Sequence, residues 1–177
     1  MSERNKIVGL ALLLALLIAG VDQCVKGLVV RSLALNESLP IIPRLLELTH
    51  THNTGSAFGL FRQAPPGILL GLSVLVLGCF LFLIKPYLTS RAGLAVTALV
   101  LGGAFGNMID RLTRVEMLPG AARHYVVDYI YFHIGDAFRW PVFNLADACV
   151  VVGVGLLIIV SLRQERGKVA TPGGDPV

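Results

Sequence analysis

The sequence predicts a membrane protein whose spanning part is all α-helical, with four transmembrane helices, and three observations predict it. Its 177 residues are 55% hydrophobic and 15% charged, with a mean hydropathy of +0.75. A soluble domain carries about 25% charged residues. Four apolar runs, at about 7–30, 67–84, 92–110 and 141–162, each come near the ~20 residues that a helix needs to cross a bilayer core. The two long connections, about 31–66 and 111–140, hold or adjoin most of the acidic and amide side chains. No repeat or linker divides the chain, so 1–177 reads as one integral membrane domain.

The first run starts behind Arg4 and Lys6, as a secretory signal peptide does. It leads into Asp22, Gln23 and Lys26 with no small-x-small cleavage site, so it is expected to stay as a helix. The first connection holds a candidate strand at 45–51 and a turn-forming run at 53–59. Pro65 and Pro66 then stop the chain before helix two. Lys85 and Pro86 close helix two, and Arg163 closes helix four. The second connection holds residues 125–134, rich in Val, Ile, Tyr and Phe, which are β-prone or membrane-hugging. Residues 168–177 are expected to be a disordered tail. Cys24, Cys79 and Cys149 fall in or beside apolar runs without a CxxC pair, so they read as buried free thiols.

Four spans put both termini on one side. The short pieces on that side hold Arg4, Lys6, Lys85, Arg91, Arg163, Arg166 and Lys168, seven cations, against eight spread through the far longer stretches from about Lys26 to Pro66 and from Arg111 to Arg139. Cations dense in short loops favour the cytoplasm, so both termini are expected there. The cations form no basic stripe, so the formal charge of +4 makes no nucleic-acid site.

Acids near a bilayer are functional candidates, because an Asp at its centre costs about 2.5–3.5 kcal/mol on insertion scales. Asp22, Asp110 and Asp147 lie near the outer ends of helices one, three and four, and Asp128 lies in the second connection. Lys26 stands one turn beyond Asp22 on the same face, and Arg111 follows Asp110. A neighbouring cation keeps a carboxylate ionised, so these two acids read as ion-pair partners, with catalysis the lesser reading. Asp128 (in Tyr125-Val126-Val127-Asp128-Tyr129-Ile130) and Asp147 (in Phe143-Asn144-Leu145-Ala146-Asp147-Ala148) have apolar neighbours, which raise a carboxylate's pKa. Brought together, such a pair shares one proton and suits amide hydrolysis. The ionised acid takes a proton from water and the protonated one polarises the carbonyl. Two isolated, hydrogen-bonded acids fit the same spacing. Asn144 and Asp147, like Asn107 and Asp110, stand three residues apart on one helix face. These amides either orient the acids or tie helices together.

At these residues the chain resembles the bacterial lipoprotein signal peptidases, the signal peptidase II family. Five blocks carry the resemblance in order: Asp22-Gln23-Cys24-Val25-Lys26, Asn53-Thr54-Gly55-Ser56-Ala57-Phe58-Gly59, Gly106-Asn107-Met108-Ile109-Asp110-Arg111, Val126-Val127-Asp128-Tyr129 and Phe143-Asn144-Leu145-Ala146-Asp147. It implies a four-helix bundle with a small extracytoplasmic β-cradle and a periplasmic helix-loop, in the bacterial inner membrane. The active site would face the periplasm. It implies an aspartic endopeptidase in which Asp128 and Asp147 are catalytic. Asp22, Lys26, Asn53, Gly55, Asn107, Asp110, Arg111 and Asn144 would support them or bind substrate. The substrate it implies is a prolipoprotein cut just before a Cys that carries diacylglyceryl. The protein is expected to act as a monomer among membrane lipids, without cofactor, metal or nucleic acid. Residues 123–139 are a candidate lid over the pair. Arg111 and Arg114 are candidates for lipid phosphates or for plain solvated charge.

Other chemistries fit less well. A zinc protease would need a ligand cluster, but only His50 and His52 stand close, and His124 and His133 lack a helical HExxH frame. A serine–lysine protease would have to use Ser56 with Lys26, and Ser56 suits its Gly-rich turn. The alternative function is a small ion- or proton-coupled transporter with the acids as relay. The acids gather toward one surface rather than mid-span, against that reading.

Overall fold

The computed structural model describes residues 3–55, 67–88, 90–118 and 121–169. Ser56, the block through Gly59, Pro65, Pro66 and the tail from residue 170 lie outside the described residues. Four helices carry the fold: α1 (Glu3–Ser32), α2 (Ile68–Ile84), α3 (Arg91–Thr113) and α4 (Leu145–Val169). With the 3₁₀ turn Lys85–Tyr87 that continues α2, each is long and apolar enough to cross a membrane.

Helix α3 runs through the middle, packed along α1 and α4 and more briefly against α2. Small residues make this possible, since helices in lipid associate by close backbone approach rather than by a hydrophobic effect. A Cβ on Gly103 would stand 2.3 Å from the Ala146 carbonyl oxygen, and one on Gly106 would stand 2.6 Å from Asp22 Oδ2. On α1 the buried stripe is Ala11, Ala15, Ala19, Asp22, Lys26 and Val29. Steps of three and four keep it on one face, and its character changes from small and apolar to charged toward the outer part. The apolar core holds Ala15, Phe80, Ile84, Val96, Val100 and Leu101. Leu13, Leu16, Leu75, Phe82 and Val151 face outward, as on helices whose solvent is hydrocarbon. Cys24 and Cys79 face outward too, and only Cys149 is buried. The expectation of three buried thiols fails because an apolar run does not say which face turns to lipid.

Among the described residues, six strands fill the connections: β1 (Ser38–Ile42), β2 (Leu46–Asn53), β3 (Val115–Leu118), β4 (Ala121–His124), β5 (Val126–Ile134) and β6 (Phe138–Arg139). They form an antiparallel sheet in the order β1-β2-β5-β6 and a separate β3–β4 hairpin. The candidate strand at 45–51 and the β-prone run at 125–134 are therefore β2 and β5. Register puts Leu39, Leu48 and Ile130 in one row and Ile42, Leu46 and Phe132 in the next, with Ile134 opposite Phe138. Alternation along a strand gives these residues a common face. Glu47, Tyr131 and His133 take the other, where His133 Nε2 meets Glu47 Oε1 at 3.1 Å.

Three boundaries differ from the sequence reading. Helix α4 begins at Leu145 rather than near 141, because the preceding residues pair with β5: Trp140 N donates to Phe132 O, and Phe143 and Ile130 exchange both backbone bonds. Helix α1 continues to Ser32, so Asp22 lies ten residues short of its outer end, about 15 Å along the axis. Helix α4 runs to Val169, through the first residues assigned to a disordered tail. No helix is present in either long connection among the described residues, where the helix-loop that the resemblance implies would have to lie.

Candidate active site

The site starts from a buried cation. Lys26 has no exposed surface, and its Nζ lies 2.7 Å from Asp22 Oδ2, 2.9 Å from Asp110 Oδ2 and 2.9 Å from Asn107 Oδ1. A buried charge is tolerated only when paired and fully hydrogen-bonded, and an ammonium has three protons to place. The two acids tie this centre to its surroundings. Asp22 Oδ1 accepts from Ala146 N in the first turn of α4 (3.1 Å), where free N–H groups await an acceptor. Asp110 Oδ2 accepts from Val127 N of β5 (3.0 Å), and its Oδ1 accepts from Gln23 Nε2 and Arg114 Nε (2.9 and 2.8 Å). One lysine thus joins α1, α3, α4 and the sheet.

Asp128 and Asp147 meet through Asn144. Its Nδ2 donates to Asp128 Oδ1 at 2.7 Å, and its Oδ1 accepts from Asp147 N at 2.8 Å. Asp147 Oδ2 accepts in return from Asn144 N at 3.3 Å. This is a capping box, with Asn144 as the cap and Asp147 at the third helical position. The bonds that start α4 therefore also orient the acid. Asn107 Nδ2 donates to Asp147 Oδ1 (2.7 Å), and Asn53 Nδ2 donates to Asp128 Oδ2 (2.9 Å).

Each of these asparagines has its oxygen tied to a donor: Asn53 to Gly55 N, Asn107 to Lys26 and Asn144 to Asp147 N. The carbonyl end is committed, so the amino end must face a carboxylate. Asp128 is 3% exposed, and its pKa is raised from 3.8 to about 7. Burial is the main cause and the Asp147 charge adds to it, against the Asn53 and Asn144 hydrogen bonds and the Lys26 charge. Asp147 is half-buried.

All ten sequence-predicted residues fall in one region. Asp22 and Lys26 pair as their spacing suggests, but the partners of Asp110 are Lys26 and Arg114, not the adjacent Arg111. Successive helical residues point apart, and Arg111 is half-buried with Asp147 and Asp128 ahead of Asp110 in its electrostatic reach. Arg114 is thus an ion-pair partner rather than a free phosphate contact. Gln23, Thr51 and Tyr129 are additions. Gln23 bridges Gly106 O and Asp110, Thr51 Oγ1 donates to Asp128 O, and Tyr129 Oη accepts from Leu145 N. The only sequence signal for Gln23 is an amide inside an apolar run. Lys26 Nζ is engaged by Asp22, Asp110 and Asn107, and Ser56, the serine of the serine–lysine alternative, lies outside the described residues. Segment 123–139, the candidate lid, is built into the sheet: β5 is paired on both edges and carries Asp128. The β3–β4 hairpin is held by His52 Nδ1 to Glu116 Oε2 at 2.8 Å, with Tyr125 stacked on His52. Among the described residues, no group of three His, Cys, Asp or Glu side chains is placed to hold a metal.

Comparison with known proteins agrees with this architecture. The family described as Signal peptidase (SPase) II matches residues 14–163. The lipoprotein signal peptidase of Syntrophotalea carbinolica is 37% identical over 156 residues, covering 86% of this chain and 91% of its own. That of Halalkalibacterium halodurans is 36% identical over 154 residues, covering 87% and 92%. A solved bacterial membrane enzyme, 25% identical, superposes with a TM-score of 0.72 over 96% of this chain and 95% of its own. The family match spans most of the chain, and the five sequence blocks all lie within it; the chain belongs to the signal peptidase II family and is a membrane peptidase.

Proposed function

We propose that this protein removes signal peptides from diacylglyceryl-modified prolipoproteins in the bacterial inner membrane, cutting just before the lipidated Cys, with Asp128 and Asp147 as the catalytic pair. The observation that carries the pair is the Asn144 bridge. One amide side chain touches Asp128 and caps against Asp147, so the two carboxyl groups cannot drift apart independently.

Asp128, deeply buried and with its pKa raised to about 7, is the acid that carries the shared proton. Asp147, more open, takes a proton from water as the water oxygen attacks the scissile carbonyl. Asp128 gives its proton to the carbonyl oxygen. When the tetrahedral adduct collapses, the proton on Asp147 passes to the leaving nitrogen and Asp128 recovers its own. Arg111 balances the pair's negative charge, and the Lys26 centre holds Asn107 against Asp147. The active site would face the periplasm with both termini in the cytoplasm, consistent with acids at the outer ends of α3 and α4. A monomer contains every residue this scheme uses.

The test is cleavage of a diacylglyceryl-modified prolipoprotein by purified protein in detergent. Asp128→Asn and Asp147→Asn should each abolish it while the variants stay folded. Cleavage surviving either change removes that residue from the pair. Cleavage of the unlipidated precursor at the same rate would remove the lipid requirement.

A further inference from the structure

The end of the bundle opposite Asp128 carries a cleft that the peptidase scheme does not use. It lies between the first turns of α1 and the 3₁₀ turn that ends α2, and its volume is about 790 Å³. Helix α2 packs against α3 rather than α1, so the ends of α1 and α2 part here. Arg4, Val8 and Leu12 follow one another at steps of four and line one wall, with Gly9 beside them. Lys85 and Leu88 line the other. Gly9 keeps its wall low: a Cβ built there meets nothing within 4 Å.

Charge and apolar surface are segregated along this cleft. Arg4 and Lys85 stand where the apolar runs of α1 and α2 end, and Val8 and Leu12 continue inward along α1. Leu12 lies about 12 Å beyond Arg4 along the helix axis and is 44% exposed. Neither Arg4 nor Lys85 is paired with a carboxylate among the described residues, although Lys6 nearby is paired with Glu3 at 2.7 Å. Lys85 Nζ lies 5.3 Å from the centre of the Phe82 ring, which faces outward. That contact holds the ammonium at the lipid-facing edge of α2. Two cations without a counter-charge, above an apolar trough, complement a phosphate diester that carries acyl chains.

We propose that this cleft binds an anionic glycerophospholipid of the leaflet opposite the active site. Its phosphate lies between Arg4 and Lys85, and one acyl chain runs along Val8, Gly9 and Leu12. The lipid then ties the start of α1 to the end of α2, two helices that pack little against each other directly. This inference does not depend on the peptidase reading, and its test requires no cleavage.

Native mass spectrometry of the full-length protein released from detergent reads the site, with phosphatidylglycerol or phosphatidylcholine added. One copy of phosphatidylglycerol per chain is expected to bind about tenfold tighter than phosphatidylcholine. Gly9→Phe fills the trough without meeting protein, and Arg4→Gln with Lys85→Gln removes both cations. Each variant, folded by circular dichroism, is expected to bring the two lipids within about twofold of each other. Arg91→Gln with Arg163→Gln removes the same charge from the same side of the bundle but outside the cleft, and should keep the preference. Inorganic phosphate should leave the bound lipid in place. Equal binding of the two lipids by the wild type would overturn the proposal, as would a preference unchanged in Gly9→Phe. An equal loss in the Arg91 and Arg163 variant would reduce the preference to bulk attraction between charges, and the site would be rejected. Displacement by inorganic phosphate would leave only an anion site, and lipid-free dimers would show that a second copy of the chain fills the cleft; either result rejects the lipid.

Discussion

Lys26 shows how much a single side chain carries here. Removing it would leave Asp22 and Asp110 buried with no exposed surface and without their common cation. Lys26→Met is expected to destabilise the protein by about 3–5 kcal/mol, the usual cost of breaking a buried pair from one side. Unfolding in detergent monitored by circular dichroism measures it. Half of this centre was legible, because Asp22 and Lys26 are four apart on one helix. The Lys26–Asp110 contact joins residues far apart in sequence, and no local rule reports it. Asp128 yields a pH prediction. The folded protein holds the proton on Asp128 up to about 7, whereas an ordinary Asp releases it near 3.8. Between these values the folded state binds more protons than the unfolded one, so stability falls as pH rises. Asp128→Asn, which cannot ionise, should gain stability over wild type above about pH 7, and little below about pH 4. Thermal melts across that range decide it. In the proposed scheme cleavage also declines as pH rises through about 7, as Asp128 loses its proton. Asn53→Ala removes a hydrogen bond to the ionised form and should move that limb upward, which a pH profile of kcat/KM reads.

At the scale of elements, the contact between α3 and α4 positions the acids. Gly103 meets the Ala146 backbone, with Asn107 one turn further on α3 and Asp147 next to Ala146 on α4. Gly103→Ala forces the two helices apart, because the atom in the way is a backbone oxygen. The expected cost is about 1–3 kcal/mol for overpacking, together with a loss of cleavage as Asn107 leaves Asp147. Gly155→Ala is the control: nothing lies within 4 Å of its added Cβ, so stability and cleavage should hold. The start of α4 was misread by the same hydrophobicity that revealed the helix. Pro141, Val142 and Phe143 are apolar, but their backbone belongs to the sheet. Asn144 three residues before Asp147 was the better boundary signal, as a capping box spans that interval.

For the molecule as a whole, the bundle and the sheet form one frame, with Asp128 on one part and Asp147 on the other. An even number of spans puts both termini on one side of the membrane, and the proposed orientation makes them cytoplasmic. In a variant with Cys24, Cys79 and Cys149 replaced by Ala, a membrane-impermeant thiol reagent applied to intact spheroplasts should label Ser38→Cys and leave Lys6→Cys untouched. The reverse pattern would invert the proposed topology.

Composition and apolar run length alone determined that the chain spans a membrane four times, because both depend only on residues adjacent in sequence. Spacing also determined the Asp22–Lys26 pair and the shared faces of Asn107 with Asp110 and of Asn144 with Asp147. Whether Asp128 and Asp147 meet was left open by the residues themselves, since a strand and a helix separated by a turn can approach or diverge. The tertiary structure decided it through long-range bonds: Asp110 to Val127 sets β5 against α3, and Asp22 to Ala146 sets α4 against α1. The Asn144 amide then has both acids within reach.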